Sequence, residues 1–160
     1  MAVALLAAAC ARKADRPPEA EEAPPGNYGV GVVTAQVEAG PGVGTVPTEV
    51  FYPAQVAAGE QARQGAATAA SEGPFPLVVF VHGAGAGPDT YRALIQGIAA
   101  RGYVVAAPAF PESSSPDIVG SDRALELAEP QALALPAIVE RVRSAGIGGV
   151  PTAALIDPDQ

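Results

Sequence analysis

Residues 75–108 constrain this chain more than any other stretch. Residues 75–81 (FPLVVFV) form a continuous apolar run. Strands buried on both faces look like this, as in a sheet covered by helices on each side. The glycine-rich segment His82-Gly83-Ala84-Gly85-Ala86-Gly87 follows it. Over residues 88–101, Tyr91, Leu94, Ile95, Ile98 and Ala99 recur with the spacing of one helical face. Pro88 suits the first helical position and Gly102 the residue just past the end. Residues 103–108 (YVVAAP) read as another short buried strand. A strand–helix–strand unit of this kind predicts an α/β fold with a parallel sheet.

The flanking residues extend that sheet. Residues 28–37 and 45–52 are rich in Val and Thr and read as two strands of an antiparallel N-terminal hairpin, turning at residues 40–44. Pro47 inside the second strand predicts an edge position, because proline has no N–H for a ladder. Residues 54–73 read as a loop with a weak helical turn. Residues 109–129, with Ser113, Ser114, Ser115, Asp117 and Asp122, read as a long polar loop with a solvated serine run. Residues 131–145 read as a helix with Leu133, Ile138, Val139 and Val142 on one side, and Pro136 either kinking it or marking its first turn. A length of 160 residues allows one domain.

Composition removes several function classes. The formal net charge of −8 repels phosphates and argues against a nucleic-acid partner. One Cys excludes an internal disulfide framework and a Cys-cluster zinc site. The single His, His82, means that any Ser-His-Asp hydrolase built from these residues alone would have to use it as base. No metal and no organic cofactor is implied.

The loop at residues 82–87 carries the chemistry. Alternate glycines let the backbone turn tightly and leave N–H groups uncovered near a helix N-terminus, an arrangement suited to negative charge. A dinucleotide fingerprint needs G-x-G-x-x-G, but Thr90 stands where the later glycine should fall. Ala107-Pro108-Ala109 also replaces the acidic residue expected after the next strand. A nucleotide-triphosphate loop needs Gly-Lys-Ser/Thr, and no Lys is present here. The third reading is an oxyanion hole, whose backbone donors stabilise the oxygen that becomes negative during acyl transfer. Against all three stands a glycine turn that serves backbone geometry only.

Residues 74–111 (PFPLVVFVHGAGAGPDTYRALIQGIAARGYVVAAPAFP) resemble the start of an α/β-hydrolase. Within that superfamily they are similar to the dienelactone hydrolase, platelet-activating-factor acetylhydrolase and cutinase-like polyester hydrolase group. Residues 48–54 (TEVFYPA) resemble that group's preceding strand, and residues 156–160 (IDPDQ) the turn before its nucleophile strand. Ala109 departs from the pattern, where Asp often follows Ala-Pro. The resemblance implies a serine hydrolase of carboxylic esters acting on a small-molecule or lipid ester. It implies the N–H of Ala84 as oxyanion donor, with Gly85 second, and His82, Gly83 and Gly87 as residues that shape the loop. Tyr91 would line the acyl pocket or pack the helix.

The resemblance also implies a nucleophile on a Gly-x-Ser-x-Gly elbow, then an acid, then a His. The sequence contains no such elbow and no His after His82. The expected architecture is therefore the N-terminal half of an α/β-hydrolase over residues 27–160, with a mostly parallel sheet, an oxyanion loop and no triad. A triad improvised from His82, a loop serine and Asp117 or Asp122 is the competing catalytic arrangement. Two other readings are a non-catalytic, surface-anchored binding domain and a degenerate, inactive product.

The N-terminus points outside the cytoplasm. Residues 2–9 (AVALLAAA) are apolar and too short to span a bilayer, which takes ~20 residues. Together with Cys10 they resemble a bacterial lipoprotein signal, in which the Cys is lipidated. Residues 11–26 (ARKADRPPEAEEAPPG) read as a disordered linker, too poor in large apolar residues to fold. These features predict secretion, or attachment to the bacterial cell envelope through Cys10.

Overall fold

The computed structural model describes residues 28–40, 43–144 and 146–158. The expected signal at residues 1–10, the lipidated Cys10 and the linker at residues 11–26 lie outside them. The element order is β1 (Gly29–Glu38), β2 (Thr45–Ala54), β3 (Arg63–Gln64), β4 (Leu77–Val79), α1 (Arg92–Ala99), β5 (Val104–Pro108), α2 (Pro111–Ser114) and α3 (Asp122–Ser144), with short 3₁₀ turns between. The strands form one sheet in the order β3-β1-β2-β5-β4.

The sheet is mixed. β1 and β2 form the expected antiparallel hairpin, paired from Gly29 opposite Ala54 to Glu38 opposite Thr45. β2 runs antiparallel to β5, and β4 runs parallel to β5. The parallel part is thus the β4–α1–β5 unit plus the two-residue pairing of β3 with β1.

One face packs against α1 and the other against α3. Val30, Val32, Phe51, Val105 and Ala107 meet Ile95 and Ala99 of α1. Val33, Val50, Tyr52, Val104 and Ala106 share the opposite core with Ala134, Ile138 and Val142 of α3. Alternation along β5 explains the division, since successive side chains of a strand point to opposite faces. Tyr52 lies where a side chain at Gly31 would be, so the strand glycine makes room for the ring. Its hydroxyl donates to the Ala66 carbonyl at 2.8 Å, and burial raises its pKa.

Three expectations need correction. Pro47 sits in a central strand, because β2 lies between β1 and β5. The Pro47 carbonyl accepts from the Ala109 N–H at 2.7 Å, just past the last β2–β5 pair, Thr48 opposite Pro108. The N and C=O of a strand residue face the same neighbour, so the missing donor falls where the ladder has run out.

The region read as a polar loop at residues 109–129 is largely helical. It holds α2, a 3₁₀ turn at Pro116–Ile118 and the first two turns of α3. Ser113 is buried, and the hydroxyls of Ser113 and Ser114 both donate to the Phe110 carbonyl at 3.0 Å. They fasten the turn and are not a solvated run.

α3 passes through both Pro130 and Pro136 without ending. The carbonyls that lose a partner belong to Glu126 and Ala132, both exposed, so solvent can satisfy them. Leu133 points outward at 73% exposure. It precedes Ile138 by five positions, about 140° around the helix from the buried row of Leu127, Ala134, Ile138 and Val142.

Candidate active site: the loop after β4

The chain leaves β4 at the carboxyl edge of the parallel pair and turns through residues 82–87 before the 3₁₀ turn at Pro88–Tyr91 and α1. Ligand sites of α/β sheets gather outside this edge. Two long-range bonds hold the loop. The buried ring of His82 accepts the Phe110 N–H on Nε2 at 3.0 Å. The Gly85 N–H donates to the Ser113 carbonyl at 2.8 Å. Both tie the loop to the segment that follows β5.

The hydrogen bonds assign the His82 tautomer. Phe110 N–H is only a donor, so Nε2 is unprotonated. The Gly83 carbonyl, 3.1 Å from Nδ1, is only an acceptor, so Nδ1 carries the proton. Both ring nitrogens are occupied, and the lone pair a general base would use is already engaged. A triad improvised around His82 therefore has no base in this geometry. His82 instead fixes the loop's shape.

The glycines divide unequally. Gly85 has φ +78°, and a side chain there would overlap Val119. It must be glycine. Gly87 is extended at φ −111°, and a Cβ would meet only Ser114 Oγ at 3.7 Å. A Cβ on Gly83 would meet only the Tyr91 hydroxyl, at 3.6 Å. Those two positions do not need glycine for the turn, although the Gly83 carbonyl also accepts the Ala86 N–H at 3.3 Å.

The expectation for Gly85 as second oxyanion donor is corrected by the same geometry. Its N–H is committed to Ser113 and is not available to a substrate oxygen. Ala84 differs. It is exposed and lines a cleft, and among the described residues nothing accepts its N–H. The cleft has a volume of about 340 Å³. Val81, His82, Ala84 and Ser113 form one wall, and Ala124, Ala128 and Ala132 of α3 stand opposite. Tyr91 does not line it: its ring packs on Phe80 at 5.2 Å between centroids, on the α1 side of the sheet.

A charged cluster at the start of α1, which the sequence reading missed, fixes the helix onto the sheet. Arg92 Nη2 donates to both carboxylate oxygens of Glu49 at 2.9 Å and to Asp89 Oδ1 at 2.6 Å. Its guanidinium also lies over the Phe51 ring, 5.4 Å from the centroid. The hydrogen bonds to Asp89 and Glu49 raise the Arg92 pKa against the opposing effect of burial. No sequence pattern brings Glu49 and Arg92 together; the β2–β5–α1 packing does. Among the described residues no group of three or more His, Cys, Asp or Glu is placed to hold a metal. No helix of the described residues is long and apolar enough to cross a membrane.

Comparison with known proteins agrees with this architecture. A family model described as chlorophyllase matches residues 63–133, less than half of the chain but including the loop, α1 and β5. No curated protein gives a significant sequence match. Among solved structures, the ferulic acid esterase from Streptomyces cinnamoneus superposes with a TM-score of 0.59 at 21% sequence identity. The match covers 85% of this chain and 51% of that one, so this chain spans about half the length of its structural neighbour. The fold is that of the α/β-hydrolases.

Proposed function

We propose that this chain supplies the oxyanion half-site of a serine ester hydrolase, with Ala84 N–H as the donor. The observation that carries the reading is the loop itself. Gly85 and His82 are each locked onto the segment after β5, while Ala84, one of the two residues between them, lines a cleft and its N–H has no acceptor among the described residues. Fixed donors of this kind stabilise the developing negative charge of acyl transfer. The chlorophyllase-like stretch and the esterase neighbour support the reaction class.

The nucleophile, the acid and the base belong to a segment that these 160 residues do not contain. Serine would attack the ester carbonyl, histidine would accept the serine proton, and the carbonyl oxygen would turn to Ala84 N–H. Gly83 and Gly87 contribute backbone only, and Tyr91 supports the helix from beneath. Attachment to the cell envelope through Cys10 belongs to the same proposal, and would place the site outside the cytoplasm, facing lipid or small-molecule esters.

The test joins the half of the Streptomyces cinnamoneus esterase that the match leaves uncovered to Gln160 and follows p-nitrophenyl acetate hydrolysis. Turnover should appear in the fusion and be absent from the 160-residue chain. Ala84→Pro, which removes the N–H, should lower kcat by ~10²–10³, while Ala84→Gly, which keeps it, should change little. Turnover by the 160-residue chain that disappears on His82→Ala would overturn the reading.

A further inference from the structure

We infer that the cavity between the start of β2 and the first half of α3 is a binding site for a small amphipathic cation, an alkyl- or arylammonium compound. Its volume is about 450 Å³, within the range of small-molecule sites. Val43, Val46, Phe110, Leu127 and Pro130 give it an apolar lining, and Val46, Phe110 and Leu127 are buried. Glu112, Arg123 and Glu126 stand at its exposed rim. Of the residues that line this cavity and the alanine-lined cleft, Gln131 alone belongs to both. The two therefore open on different sides of α3. The lining of this one is drawn entirely from residues 43–131, with no contribution from β4.

The polar groups decide the charge of the ligand. Arg123 donates from Nη2 to Glu112 Oε2 at 2.9 Å and from Nη1 to Glu126 Oε2 at 3.2 Å, so two carboxylates share one guanidinium. The rim keeps a net negative charge, and the second oxygen of each carboxylate accepts nothing among the described residues. Thr45 adds no donor, because its hydroxyl is committed to Glu38. A further acceptor comes from the backbone. Pro130 has no N–H, so the Glu126 carbonyl lacks the donor that a helix supplies from four residues on. Both residues line the cavity. Apolar walls with unspent acceptors at the mouth suit a ligand that brings donors, which an ammonium group on an apolar body does.

An anion would meet two carboxylates and a guanidinium that is already paired twice. A neutral apolar molecule would fill the floor and leave the acceptors unanswered. The cation answers both halves of the site. Phe110 reports occupancy, because its ring lies in the floor while its N–H holds Nε2 of His82.

The proposal does not rest on the hydrolase reading, and its test needs only the 160-residue chain. The probes are phenethylammonium, with phenethyl alcohol and hydrocinnamate as its neutral and anionic counterparts. Titration followed by amide NMR should show saturable binding of the cation, with the largest shifts at Phe110 and Leu127 and smaller ones at Ala84 in the other cleft. The alcohol should bind about threefold to fivefold more weakly, and the carboxylate more weakly still. Pro130→Ala returns an N–H to the Glu126 carbonyl and should weaken binding of the cation by about threefold or more. Pro136→Ala, whose restored bond goes to Ala132 in the other cleft, should leave it unchanged. Both variants favour the helix, so loss of the fold does not confuse the comparison. Glu126→Gln should lower affinity for the cation and narrow its margin over the alcohol. No saturable binding, equal binding of the three probes, shifts centred on Ala84, or a Pro130→Ala variant that binds as tightly as the parent would each overturn the proposal.

Discussion

The backbone N–H of Phe110 donates to Nε2 of His82 across 28 positions of sequence, joining the end of β4 to the end of β5. His82→Ala would leave that buried N–H without a partner, at a cost of ~1–3 kcal/mol. Urea denaturation should show the loss. Ester hydrolysis by the 160-residue chain should stay at background in both forms, since the ring has no free lone pair to act as a base.

Gly85 and Gly120 offer a matched pair. Both have positive φ, +78° and +74°, but a Cβ at Gly85 overlaps Val119 while one at Gly120 meets nothing within 4 Å. Gly120→Ala should cost ~1 kcal/mol from backbone strain alone. Gly85→Ala should cost measurably more, and Val119→Ala in the same chain should recover the difference. Equal losses at the two glycines would show that overlap with Val119 does not matter.

Stability should fall in alkali through Tyr52. Burial raises its phenol pKa above the ordinary value of 10.0, so the folded state holds the proton more tightly than the unfolded state. That contribution is complete below about pH 10 and is lost as pH rises from there through the folded pKa. Tyr52→Phe should flatten this limb of a stability-against-pH curve. It should also cost ~1 kcal/mol at pH 7 by removing the bond to Ala66. An unchanged alkaline slope in the variant would assign the dependence to other groups.

The Arg92–Glu49 pair is partly solvated, with side-chain exposures of 40% and 24%. A double-mutant cycle with Arg92→Ala and Glu49→Gln should give a coupling of about 0.5–1 kcal/mol, falling in 1 M salt. Arg92→Lys should not fully restore it, because lysine lacks the Nε that also donates to Asp89 at 3.1 Å and the guanidinium that lies over Phe51.

Pro136 interrupts the hydrogen bonding of α3 at an exposed position. Pro136→Ala restores an N–H to the Ala132 carbonyl and should stabilise the chain by ~1–3 kcal/mol. Thermal unfolding would register this as an increase in Tm, and no increase would mean that the helix has adapted fully to the proline.

What was legible in the sequence follows the range of the forces involved. The β4–α1–β5 unit could be read because apolar runs and helical spacing are local signals, and Gly102 does receive its bond from the end of α1, donating to Ala99 C=O at 3.0 Å. Pro47 misled because the rule against proline concerns a needed donor, and need depends on where a neighbouring strand stops. The start of α3 was missed because small residues such as Ala124 and Ala128, followed by Pro130, carry little periodic signal, although Ala124 and Ala128 form a wall of the cleft. Gly85 was misassigned for a related reason. A glycine-rich loop announces uncovered amides, but the partner that occupies this one, Ser113, comes from a separate part of the chain.

Both bonds that set the loop close within residues 82–113. The direction of the Ala84 amide is therefore inherited from folding and draws nothing from a ligand's binding energy. Substitutions outside residues 82–113 leave the aim of this dipole unchanged.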